Sequence, residues 1–96
     1  MNGAKLEGII QSALKKLKGV EAVVLVTPDG FPISSNMDPD KSERISAMGA
    51  SFVSLAKRVA EDMRHGKLKK VVVHTDRGKV VCVPLEDGTS MILLVE

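Results

Sequence analysis

The sequence predicts an α+β fold, a five-stranded antiparallel-rich sheet between two helices in the order α-β-β-α-β-β-β. Three observations carry this. Apolar residues recur at helical spacing in two stretches, near the N-terminus and from Pro39 to His65. Two strand-like runs, Val20–Thr27 and Thr89–Val95, are apolar on both faces, as a strand is when the sheet is covered on two sides. Between and around them stand short turns ending in glycine, as hairpins require.

The first helix is expected from Asn2 or Gly3 to Lys18. Leu6, Ile9, Ile10, Ala13, Leu14 and Leu17 form its apolar face, Asn2 caps its start, and Gly19 takes the left-handed conformation that ends it. Lys15, Lys16 and Lys18 suit the negative end of the helix dipole. Gly8 inside the helix costs about 1 kcal/mol relative to alanine, which predicts a close packing contact there.

In the first strand Val20, Ala22, Val24 and Val26 are expected on one face and Val23 and Leu25 on the other. Thr27-Pro28-Asp29-Gly30 is a turn, and Phe31–Ser35 is the returning strand, placed at an edge by Pro32, which cannot donate to a ladder. Asp38 then Pro39 reads as a carboxylate N-cap followed by proline at the first helical position. Gly66 is expected to stop the long helix. Three strands follow at Leu68–Thr75, Lys79–Leu85 and Thr89–Val95, the last beside the first in the sheet centre. The third strand carries Lys69, Lys70 and His74 around three consecutive valines and reads as an edge.

The long helix has two usable faces. Ile45, Met48, Phe52, Leu55, Ala56, Val59 and Met63 form a broad apolar stripe expected to cover the core. The face expected to point away carries Ser46, Ala47, Ala50, Ser51 and Ser54. Small side chains let helix backbones come close and increase van der Waals contact, so this face is expected to meet a second copy of the chain. The valine-rich edge would pair with its own copy about the same two-fold axis. The expected self-interface is therefore Ala47, Ala50, Ser51 and Ser54 with Lys70, Val71, Val72, Val73 and His74, and Ala50→Arg is expected to split the dimer.

Composition narrows the function classes. The 96 residues, 44% hydrophobic and 27% charged, suit one folded domain spanning residues 1–96. A formal charge of +2 and only two aromatic residues, Phe31 and Phe52, argue against nucleic acid as a partner. No apolar run approaches the roughly 18 residues of a membrane span, and nothing at the N-terminus resembles a signal peptide, so a cytoplasmic location is expected. The lone Cys82 excludes an internal disulfide and a Cys-based zinc site and reads as a small buried hydrophobe. The cations Arg64, His65, Lys67, Lys69 and Lys70 cluster after the long helix. His65, His74, Cys82 and the acidic pairs Asp38/Asp40 and Glu61/Asp62 do not assemble into an acid–base, nucleophilic or metal-binding set, and a phosphate-binding GxxxxGK[ST] loop is absent. No catalytic residue, metal site or cofactor is expected.

The succession of elements, the strand running into TPDGFPISS, the helix SERISAMGASFVSLAKRVAEDM and the closing GKVVCVPLEDGTSMILLVE resemble the Roadblock / dynein-light-chain family and its prokaryotic, MglB-like members. The resemblance covers essentially the whole chain and implies a Roadblock/profilin-like sandwich. It also implies a homodimer, or a dimer with a second Roadblock protein, joined through the long helices and an edge strand. The implied partner is a Ras-like small GTPase, with the dimer as a non-enzymatic scaffold, activator or adaptor. Many family members continue past the last strand into a further helix, whereas this sequence ends at Glu96. The first helix is therefore expected to stand alone on its sheet face and to offer Ile10 and Leu14 to a partner. The alternative reading is a small-ligand sensor domain with a pocket between sheet and helix.

Overall fold

Strand β5 (Ser90–Val95) sits at the middle of the sheet, and its residues explain why: Ile92 and Leu93, on opposite faces, are both buried. The computed structural model describes residues 3–16 and 18–96. Within them, α1 (Gly3–Lys16), β1 (Val20–Val26), β2 (Pro32–Ser35), α2 (Pro39–Asp62), β3 (Val71–Thr75), β4 (Gly78–Pro84) and β5 follow in the predicted order. The strands lie as β2-β1-β5-β4-β3, and every pairing is antiparallel.

The two sheet faces carry separate apolar clusters. Ile10 of α1 packs with Val23, Leu25 and Leu93, flanked by Ile9, Leu14, Val20, Val81 and Met91. Across the sheet, Val53 of α2 packs with Val24, Val26, Cys82 and Ile92. Val20 departs from the predicted alternation. The β1–β5 register shifts between Val20 and Ala22, and this irregularity turns Val20 to the α1 side, away from Val24 and Val26. Ile10, only 4% exposed, is a core residue, so the expectation that it faces a partner is corrected; Leu14 is half-buried against the same cluster. Gly8 is exposed, and among the described residues nothing makes the close contact predicted there. The predicted Asn2 cap and the side chains of Leu6, Ala13 and Leu17 lie outside the described residues, and Lys18 belongs to the turn after the helix.

Helix α2 starts as predicted. The Asp38 carboxylate accepts a hydrogen bond from the Lys41 amide at 3.0 Å, and Pro39 occupies the first turn. Ser42, one turn on, donates through its hydroxyl to the Ser35 hydroxyl at 2.8 Å and ties the helix to β2. The end differs from the prediction of a stop at Gly66. The helix closes at Asp62, with the His65 amide donating to the Ala60 carbonyl and the Arg64 amide to Glu61, the paired bonds of a Schellman turn. Arg64 therefore holds the left-handed position, φ 54°, that glycine usually fills, and Gly66 comes two residues too late to relieve it.

Helix α2 turns a different face to the sheet than its apolar stripe predicts. The residues it buries against the sheet are Ser42, Ser46, Gly49 and Val53, spaced by four, three and four. The stripe expected to cover the core instead lies open: Met48 is 52% exposed, Phe52 41%, Leu55 59%, Val59 54% and Met63 63%. Ile45 and Ala56 at its margins are half-buried. The cause is steric. The sheet layer is already filled by branched side chains, and a Cβ at Gly49 would collide with the Ile92 side chain. Only a small-residue face can come that near. The close backbone approach is made to the sheet, at Ser46 and Gly49, whereas the sequence reading expected it between two copies of the helix at Ala47, Ala50, Ser51 and Ser54.

Two outcomes follow for stability. Gly49→Ala is expected to cost about 1–3 kcal/mol by overpacking, measured by urea unfolding, and Ile92→Val in the same chain should recover part of it by removing the methyl that clashes. Arg64→Gly should raise stability by about 0.5–1 kcal/mol, because it relieves a left-handed non-glycine residue at the helix end. Thermal unfolding reads this as a rise of a few degrees.

Candidate interface on the long helix and the sheet edge

The exposed stripe of α2 continues onto the sheet. Met48 and Phe52 project over the outer strands and, with Ile45, Gly49, Val73, Val80 and Ile92, line an apolar cleft of about 120 Å³. This joins helix and edge strand into one apolar surface. Contiguous exposed apolar surface is uncommon on monomers and marks contact sites. The cleft is also small beside the roughly 300–1,000 Å³ of ordinary small-molecule sites.

The two sheet edges differ in how open they are. β2 spans four residues, carries Pro32, and pairs with β1 through a register shift between Leu25 and Val26. Such irregularity blunts an edge. β3 pairs with β4 without interruption from Val71–Cys82 to Thr75–Gly78, and among the described residues no strand lies on its other side. Val71 and Val73 lie half-buried, while Val72 is exposed on the opposite face with His74. His74 stands across from Lys79 of β4, so this face of the edge is basic. Lys70, just before the strand, is exposed.

The small residues singled out on α2 are divided by the structure. Ala50 is half-buried and borders Gly30, and Ala47 backs the same glycine, whose φ of 93° lets the β1–β2 turn lie against the helix. Ser46 is fully buried beneath the helix. Ser51 and Ser54 are exposed, with the Ser51 hydroxyl donating to the Ala47 carbonyl at 3.0 Å. An arginine at position 50 would press on the chain's own turn, so Ala50→Arg would report on folding as much as on association. Met48, Phe52, Leu55, Val59 and Met63, which the sequence reading turned toward the core, are exposed. Their signal was in the sequence: two stripes at helical spacing, one small and one large, on one helix.

Chemically reactive groups are scattered. His65 and His74 are exposed on different elements, and no group of three or more metal-ligating side chains occurs among the described residues. Cys82 is fully buried between α2 and the sheet, and burial pushes its thiol pKa up. In the β4–β5 turn, the amide and hydroxyl of Thr89 donate to Asp87 and hold its carboxyl below the usual range. No described helix is long and apolar enough to cross a membrane.

Comparison with known proteins agrees with the architecture. The Roadblock/LC7 domain model matches residues 6–95. Among solved structures the chain is similar to a Roadblock/LC7 domain from Streptomyces avermitilis, at TM-score 0.85 and 21% identity over 92% of this chain and 75% of that one. It is similar to Myxococcus xanthus MglB at TM-score 0.86 and 12% identity, over 99% and 78% of the two chains. The gliding protein MglB from Thermus thermophilus gives TM-score 0.83 and 13% identity, over 100% and 76%. No match is found among curated proteins. At these identities the structural likeness establishes the fold, and the family model spans nearly all of the sequence. The chain belongs to the Roadblock/LC7 domain family.

Proposed function

We propose that this chain is a non-enzymatic dimeric scaffold that binds and regulates a Ras-like small GTPase in the cytoplasm, pairing with itself or with a second Roadblock protein. The observation that carries the dimer is the exposed stripe of α2, Met48, Phe52, Leu55, Val59 and Met63, which runs into the open edge of β3. A two-fold partner would bury both at once: the helix would meet its own copy across the large side chains, and the sheet would continue through β3. Among the solved relatives, one MglB has a tetrameric arrangement. The GTPase partner rests on what Roadblock resemblance implies, supported by the likeness to MglB. Activation and adaptor roles both fit such a scaffold.

In this reading the self-interface moves from Ala47, Ala50, Ser51 and Ser54 to the large apolar stripe, and it keeps the β3 residues Lys70 to His74. Phe52→Asp should place a charge in the middle of that contact and raise the dimer dissociation constant roughly 100-fold, read by analytical ultracentrifugation, with the circular dichroism spectrum unchanged. Immobilised wild-type protein, loaded with cell lysate in GDP or a non-hydrolysable GTP analogue, should retain a small GTPase identifiable by mass spectrometry, and Phe52→Asp should lose it. A dimer that survives Phe52→Asp would contradict the helix interface. Recovery of no GTPase in either nucleotide would contradict the partner assignment.

A further inference from the structure

On the dimeric reading above, the sequence around β3 allows the pairing of the two copies to be specified residue by residue. We propose that two copies pair antiparallel through β3 with the two-fold axis at Val73, so that Lys70 of each copy lies opposite the partner subunit's Asp76. In antiparallel pairing about a two-fold axis, residues equally far before and after the axial residue stand opposite each other on the same face. An axis at Val73, the middle of the strand Val71–Thr75, pairs the whole strand. It sets Val71 against Thr75, Val72 against His74, and Lys70 against Asp76. The chain turns at Asp76 and Arg77, so the opposition ends with that ion pair, made twice per dimer.

Of the two neighbouring registers, an axis at His74 sets Val72 against Asp76, an apolar side chain against a charge, and an axis at Val72 is worse on two counts. It sets Lys70 against His74, which already has Lys79 at its cross-strand position on β4, and so gathers basic side chains without a counter-charge. It also centres the contact on a side chain facing away from α2, since Val72 pairs with Val81 of the α1-side cluster. One axis has to serve both the strand and the helix contacts. Val73 lines the apolar cleft with Met48 and Phe52, so an axis through Val73 runs beside the exposed helix stripe. Lys70 and Asp76 are both exposed and free to reorient. The register makes the edge self-complementary in charge, a selection for this chain's own copy over a partner lacking either residue.

Sedimentation equilibrium of the full chain separates the registers. Lys70→Asp and Asp76→Lys should each raise the dimer dissociation constant roughly 3- to 10-fold by opposing like charges. The double variant Lys70→Asp/Asp76→Lys should return to within about twofold of wild type, since the pair is restored with its signs exchanged. A one-to-one mixture of the two single variants should form the mixed dimer in preference to either homodimer. Tighter association of Lys70→Asp would overturn the proposal, because it is what the Val72 register predicts from an aspartate facing His74. A double variant as weak as the two single changes combined would overturn it too. A wild-type chain that stays monomeric to high concentration would overturn the dimeric reading itself, a result separable from a wrong register in a dimer that forms.

Discussion

The approach of α2 to the sheet governs this structure. At Gly49 the helix backbone lies so near Ile92 that a single methyl group has no room, and Ser46 and Cys82 fill the same layer without side-chain bulk. Close packing of this kind leaves no alternative rotation of the helix: turning the large stripe inward would drive Met48, Phe52 and Leu55 into space already occupied by Val24, Val26 and Ile92. The small face is therefore fixed inward. The large face is thereby displayed, and the valine-rich edge beside it completes one surface.

The rest of the chain serves that arrangement. Asp38 and Ser42 anchor the start of α2 to its cap and to β2, and the Schellman turn at Met63–His65 ends it abruptly enough for the chain to return as β3. α1 seals the other sheet face through Ile10, over β1 and β2. Mainly aliphatic side chains build both clusters, and the two phenylalanines are left outside, Phe31 beside the β1–β2 turn and Phe52 on the helix stripe. Aromatic side chains commonly dominate contact energetics, which gives Phe52 its weight in the proposed interface.

Much of the fold was legible in the sequence because it is written in local chemistry. The two-sided apolar character of β1 and β5 placed both in the sheet interior, Pro32 placed β2 at an edge, and Asp38-Pro39 marked the start of α2. What escaped depends on the third dimension. A hydrophobic stripe reports how apolar a face is, and it carries no measure of how much room the opposing layer leaves, so the larger stripe on α2 was assigned inward. Gly49, flanked by Ser46 and Val53 at helical spacing, held the contrary signal. The register shift that turns Val20 over and the left-handed Arg64 were hidden for a related reason: each is a local concession to packing elsewhere, and neither residue type announces it.

The most direct test of this account is hydroxyl-radical footprinting across a range of protein concentrations, with Phe31 as an internal reference. Phe31 is 63% exposed and lies at the β1–β2 turn beside Glu43 and Ala47 of α2, on the side of the sheet away from the β3 edge and off the line of Met48, Phe52 and Met63. If two copies meet across the exposed stripe, Met48, Phe52 and Met63 lose reactivity as concentration rises and Phe31 does not. Stripe residues whose reactivity stays as constant as that of Phe31 over a concentration range in which the protein passes from monomer to dimer by sedimentation would place the contact elsewhere and contradict the account.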